Sequence, residues 1–270
     1  MKKDSIKDFL SATGEEIVDT TLNSDLVPGL VTEILKSCIS EGVSGIIGEI
    51  AGVVVPSVNG VILSYKQKRF ERNIALALDA IKNRLSSLED NFEALNSELK
   101  QKFSTTYCEW LLDNLQEEKQ AEKVNYHVNG YINLMNNEAN DNLMLLFFNT
   151  MNELTNLDID VLKCHCFDMD ITTNNVCDKY NLDFYQVRLI REKLARLGLL
   201  QSKNEEYNDN NLEYVVQHLM KVEQDRKKSK PSGVNFEKSR IKKLSRNDTY
   251  YITSIGNSYL KIIGDQENNA

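Results

Sequence analysis

Three prolines and twelve glycines are few for 270 residues, and runs of alternating β-branched residues are scarce. Without chain breakers or period-two patterning, helices are the expected regular structure. Cysteine is also sparse. Five of them, an odd number spread over a long chain, do not make a disulfide framework and point to a reducing cytosol. The opening stretch MKKDSIKDFLSATGEE turns polar and acidic too early for a signal peptide. Basic residues are outnumbered 32 to 40, and the net charge of −8 argues against nonspecific nucleic-acid binding by the whole surface. Hydrophobic residues at 41% and charged ones at 27% argue against both overall disorder and a polytopic membrane protein. Catalytic phrases are missing too. The three histidines, His127, His165 and His218, sit in none, and there is no P-loop, no GxGxxG after a strand, no HExxH and no GxSxG. No enzyme and no cofactor are expected.

What is present divides into a mainly α chain: an N-terminal helical region with a small-residue hydrophobic segment (1–65), a coiled-coil or helical bundle (66–155), and a C-terminal part (156–270) with a basic insert. The first stretch has Leu26, Leu30, Ile34 and Leu35 near helical spacing. Between 66 and 103 the pattern is cleanest. Ile74, Leu78, Ile81, Leu85, Leu88, Phe92, Leu95 and Leu99 alternate steps of four and three, an a/d seam that predicts one long helix. Such a seam can pack inside its own bundle or join copies of the chain, making a homo-oligomer. Trp110, Leu111, Leu115 and the run Leu143 to Phe148 mark further helices.

Residues 42–65 are almost uncharged. Every fourth residue from Ser40 is small or proline (Ser44, Gly48, Gly52, Pro56, Gly60, Ser64), and Glu49 is the only internal charge. A helix with so bare a face has the small-xxx-small arrangement that lets helices approach closely in membranes. Glycine costs about 1 kcal/mol per helical position in water, so a packing reason is required. Twenty-four residues would span about 36 Å as a helix, enough for a bilayer core of about 30 Å. Glu49, Asn59 and Pro56 oppose a stable span, while Lys66, Lys68, Arg69 and Arg72 would hold that end on the cytoplasmic side. A buried hairpin broken near Val55–Pro56, a segment that inserts when triggered and a constitutive anchor all fit the pattern.

From Asn156 a third pattern begins. Asp158 to His165 forms a short helix, Thr172 or Thr173 caps TNNVCDKY, Asn181 and Leu182 turn, and Asp183 caps FYQVRLIREKLARLG, which Gly198 ends. Leu199 and Leu200 start a strand that Tyr250, Tyr251 and Ile252 can pair, before a last helix capped by Thr253 or Ser254. The combination KLARLGLLQ, an insert and YYITSIGNSYLKII, with its T-x-x-G phrase, resembles the end of winged-helix domains. That resemblance implies a winged helix-turn-helix in which Tyr185, Gln186, Arg188, Arg191 and Lys193 face a DNA groove. Between Lys221 and Arg246 ten basic residues face three acidic ones, a local +7 that leaves −15 elsewhere. This Pro-Ser-Gly insert, with Lys242 and Lys243, reads as a solvated loop or as a contact for phosphate, anionic lipid or an acidic partner. Cys164, His165, Cys166 and Cys177 carry donor atoms for a soft metal but lack paired CxxC spacing, so no metal is expected.

The whole layout resembles helical proteins of phages and bacterial defence islands, including the abortive-infection alpha (DUF4393-like) group. The features carrying it are SYKQKRFERNI, NLMLLFFNTMNELTNLDIDVLK and KLARLGLL…YYITSIGNSYL. The resemblance implies phage defence: sensing of a phage or host protein trigger, then membrane perturbation through the glycine-rich segment by a cytoplasmic protein recruited to the inner face of the cell membrane. The alternative class is a prophage or bacterial DNA-binding transcription regulator, and a third is a structural adaptor.

Overall fold

The computed structural model describes residues 26–52, 65–136, 138–166 and 171–264, which fold mainly as α-helices with one two-stranded sheet. They form two units, one up to Asn156 with the chain end from Lys261, the other from Leu157 to Leu260.

In the first unit α1 (Leu26–Ser37) and α2 (Glu41–Gly52) make a hairpin. Helix N-termini leave amides unpaired, and here the amides of Ile39 and Ser40 donate to the Glu89 carboxylate while the Ser40 hydroxyl donates to Glu93. Four β-branched side chains of α2 (Val43, Ile46, Ile47, Ile50) are buried, and the helix packs on α1, α3 (Tyr65–Asn83), α4 (Leu85–Ala94), α5 (Ser97–Ser104) and α6 (Thr106–Glu117). Gly42 has a specific reason: a Cβ there would lie 2.2 Å from the Phe92 ring. The first half of the small-residue segment is therefore a bundle helix. Val55, Pro56 and Gly60, including the expected break, lie outside the described residues.

The single helix expected over 66–103 is corrected to three, α3, α4 and α5. At the first break Arg84 leaves helical geometry (φ −121°, ψ 22°) and its guanidinium donates to Asn129 at 3.0 Å and Asn133 at 2.7 Å. At the second, Asn96 turns extended and its side chain accepts from the Leu99 amide at 2.9 Å, a cap that starts a new helix. The seam still points inward. Ile74, Leu78, Ile81, Leu88, Phe92, Leu95 and Leu99 are buried and Leu85 is half-buried, so these side chains are occupied within the unit.

Helices α7 (Lys123–Asn133) and α8 (Asp141–Glu153) complete this unit. Gly130 is required because a Cβ would collide with the Phe147 ring at 1.9 Å. The connection from α6 to α7 closes around a buried carboxylate. Glu118 meets Lys123 at 2.6 Å and His127 at 3.2 Å and accepts from the amides of Lys119 and Gln120 at 2.8 Å each. Burial pushes its pKa up, but the hydrogen bonds from His127, Lys123 and the Gln120 amide outweigh that and hold it at about 2. Burial lowers the pKa of His127, against the pull of Glu118.

The second unit is built from α9 (Asn156–Lys163, its first residue counted with the first unit), α10 (Thr173–Tyr180), α11 (Phe184–Arg196), β1 (Leu200–Ser202), α12 (Lys203–Arg226), β2 (Tyr250–Ile252) and α13 (Ser254–Ile263, its last three residues counted with the first unit). The strands are antiparallel, with Leu200 opposite Ile252 and Ser202 opposite Tyr250. The insert differs from the loop expected: its first part belongs to α12, a 24-residue helix that Ser202 caps through the Glu205 amide.

Candidate interaction surface

Local signals set the frame of the second unit. Thr172 and Asp183 each close a capping box, with Asn175 and Gln186 respectively. Asn181 takes the left-handed conformation (φ 52°) that turns α10 toward α11. Gly198 (φ 73°) ends α11: its amide donates to Ala195 and the Leu199 amide to Leu194, the two bonds of a Schellman motif. The T-x-x-G phrase also has a physical reading. Thr253 donates its hydroxyl to the Gly198 carbonyl at 2.7 Å and accepts from the Gly256 amide at 2.9 Å. Gly256 lets α13 approach the chain entering β1, for a Cβ would sit 2.2 Å from the Leu199 carbonyl oxygen.

The five residues expected to face a groove from α11 do not share one surface. Arg191 donates to His165 Nε2 at 3.1 Å and to Thr173 at 2.7 Å. Lys193 is paired at 2.6 Å with Asp158, whose carboxylate is buried. Gln186 is engaged in its capping box, and Arg188 pairs with Glu192 at 3.0 Å one turn on. Tyr185, Gln186 and Arg188 are exposed among them, and Phe184 and Leu189 are exposed apolar neighbours of Tyr185. The outward face of α11 thus sets Phe184, Tyr185 and Leu189 among the exposed Arg188 and Arg196.

Beyond α12 the basic insert runs back along the helix as a strap. Asn211 exchanges two hydrogen bonds with the Lys242 backbone at 2.8 and 2.9 Å, and Asn204 does the same with Ser245 at 2.9 and 2.8 Å. The ring of Phe236 lies 5.4 Å from Tyr214 and 5.0 Å from His218. Lys242 sits 4.7 Å over the Tyr207 ring, and Lys230, Lys238, Lys243 and Arg246 are exposed.

The remaining expected residues are distributed elsewhere. Ser44 is half-buried with its hydroxyl on the Ser40 carbonyl, Glu49 and Gly52 are exposed, and a Cβ at Gly48 would meet no described atom within 4 Å. His165 is committed to the fold: burial first, then the Arg191 charge, lowers its pKa to about 4. Among the described residues no group of three His, Cys, Asp or Glu could hold a metal. A shallow depression by Glu49, Ser104, Thr105, Cys108, Glu109 and Leu112 contains a thiol, but burial and the nearby Glu49 and Glu109 charges push Cys108 up to about 12. That thiol is a poor nucleophile. The two features that sequence reasoning missed are the length of α12, whose Asn- and Asp-rich first half hides it, and the apolar face of α11, overlooked in favour of its arginines. Comparison with protein-family models, with curated proteins and with solved structures returned no match.

Proposed function

We propose that this chain is a non-catalytic, partner-sensing protein of the abortive-infection kind, with its second unit a winged helix that docks a phage or host protein. The winged-helix reading is supported by the order of helices and strands, the left-handed turn before α11 and the Thr253–Gly256 contact with the chain entering β1. One observation carries the choice of a protein partner: the outward face of α11 offers Phe184, Tyr185 and Leu189, while Arg191 and Lys193 are engaged within the unit and Arg188 with Glu192. Aromatic side chains anchor protein interfaces well, whereas a polyanion needs free cations.

A membrane step would follow sensing and would need α2 to leave the bundle, since Val43, Ile46, Ile47 and Ile50 are buried there. Among the described residues no helix is long and apolar enough to cross a membrane. DNA contact is the second reading, favoured by the exposed Lys230, Lys238, Lys243 and Arg246.

The test compares the full chain with a Tyr185→Ser, Leu189→Ser variant in bacteria challenged with a phage panel. Both residues are exposed, so circular dichroism and melting stay unchanged while protection is lost. Wild type that restricts no phage removes the defence reading, and a variant that protects fully removes the α11 surface. Low-salt duplex binding that disappears on neutralising Lys242 and Lys243 moves the function to DNA.

A further inference from the structure

The strap covers one side of α12 and leaves the other bare. At 100° per residue, Tyr207, Asn211, Tyr214 and His218 lie toward the strap, and Leu212, Val216, Leu219 and Met220 cluster on the opposite side within about 100° of arc. These four are 64, 41, 59 and 59% exposed. Leu212, Val216 and Leu219 follow the four-and-three steps of a packing seam and Met220 lies four beyond Val216, yet nothing in the chain's described residues covers them. The seam expected of the molecule between residues 74 and 99 is buried, whereas this stripe is exposed.

Charge along the same face decides what fits. Glu205 and Asp209 precede the stripe on its own side of the helix and are exposed, while Arg226 and Lys227 close or follow the last turn, where the exposed Glu223 on the same side is paired with Lys227. The ion pair of Lys227 with Glu223 is exposed on both sides, of a kind worth little in water, and Lys227 can be shared with an incoming carboxylate, whereas Lys228 is held by the buried Asp225. A parallel copy would set acid against acid and base against base. An antiparallel copy centred near Val216 brings Glu205 and Glu206 of each helix opposite Lys227 and Arg226 of the other, which outnumber the one like-charged meeting, Asp209 with Glu223.

We infer that α12 is a dimerisation helix, pairing antiparallel with α12 of a second copy through Leu212, Val216, Leu219 and Met220. The apolar side chains supply the contact and the charges set the direction. This surface is separate from the outward face of α11 and does not depend on the function proposed for it.

Sedimentation equilibrium on the full-length chain tests the pairing. Wild type is expected to form a reversible dimer, and Val216→Glu with Leu219→Glu to be monomeric with an unchanged helical spectrum. Glu205→Lys with Glu206→Lys, and separately Arg226→Glu with Lys227→Glu, should each weaken the dimer severalfold, and an equimolar mixture of the two should recover it. Wild type that remains monomeric up to its solubility limit overturns the inference, as does a dimer indifferent to the Val216 and Leu219 changes. Charge-reversed variants that dimerise as well as wild type overturn the antiparallel arrangement.

Discussion

Three glycines show how residue identity acquires meaning from what lies opposite it. Gly256 and Gly130 face a backbone carbonyl and an aromatic ring at distances no Cβ tolerates, whereas a Cβ at Gly48 would meet no described atom within 4 Å. The same substitution should therefore change sign. Gly256→Ala should destabilise the second unit by about 1–3 kcal/mol through overpacking. Gly48→Ala should stabilise the chain by about 0.5–1 kcal/mol, because only the helical cost of glycine is removed. Urea unfolding of the two variants measures both, and a loss at Gly48 would mean that its small size serves a packing contact. The sequence marked Gly48 by its place in a stripe, but a stripe of small residues does not say whether anything approaches it.

At the scale of elements, capping was readable and partnership was not. Thr172, Asp183, Asn181 and Gly198 act on backbone atoms within a few residues of themselves, so their roles were visible in the sequence. Arg191 and Lys193 look like free cations in FYQVRLIREKLARLG, yet they join α11 to residues 18 to 35 positions away. Lys193→Met should cost about 3 kcal/mol, because it strips a buried carboxylate at Asp158 of its counter-charge. Thermal unfolding should register this, and Asp158→Asn in the same background should recover part of it. The seam from Ile74 to Leu99 gives the complementary case. Its period predicted burial correctly, but helix continuity was lost where Asn96 offered a cap and Arg84 found Asn129 and Asn133. Asn96→Ala should cost about 1 kcal/mol, the usual worth of such a cap.

For the whole molecule, the buried ionisable groups predict how stability depends on pH. His165 has a pKa of about 4 in the fold against about 6.5 unfolded, so the folded state binds fewer protons and stability falls as pH drops from about 6.5 towards 4. His127, also lowered, acts in the same sense. Glu118, at about 2 against an ordinary 4.5, contributes stability that is complete above the unfolded value and lost from there towards pH 2. Calorimetry should show melting temperatures that fall continuously from neutral pH into acid. His165→Gln should flatten the part of that decline between about 6.5 and 4, and an unchanged profile would place His165 outside the linkage.

Local pattern alone determined that the chain is helical, where the caps and turns of its C-terminal half fall, that two short strands pair across an insert, and which side chains of the long seam turn inward. Each of these depends on periodicity or on hydrogen bonds spanning a few residues. Only the tertiary structure decided that the seam is divided among three helices, that α2 is enclosed by its neighbours, that the cations of α11 are engaged, and that α12 extends its apolar stripe into solvent. These outcomes turn on which surfaces meet. Burial and pairing energies are set by partners distant in sequence, and the one-dimensional pattern of a helix face is the same whether another helix covers it or water does.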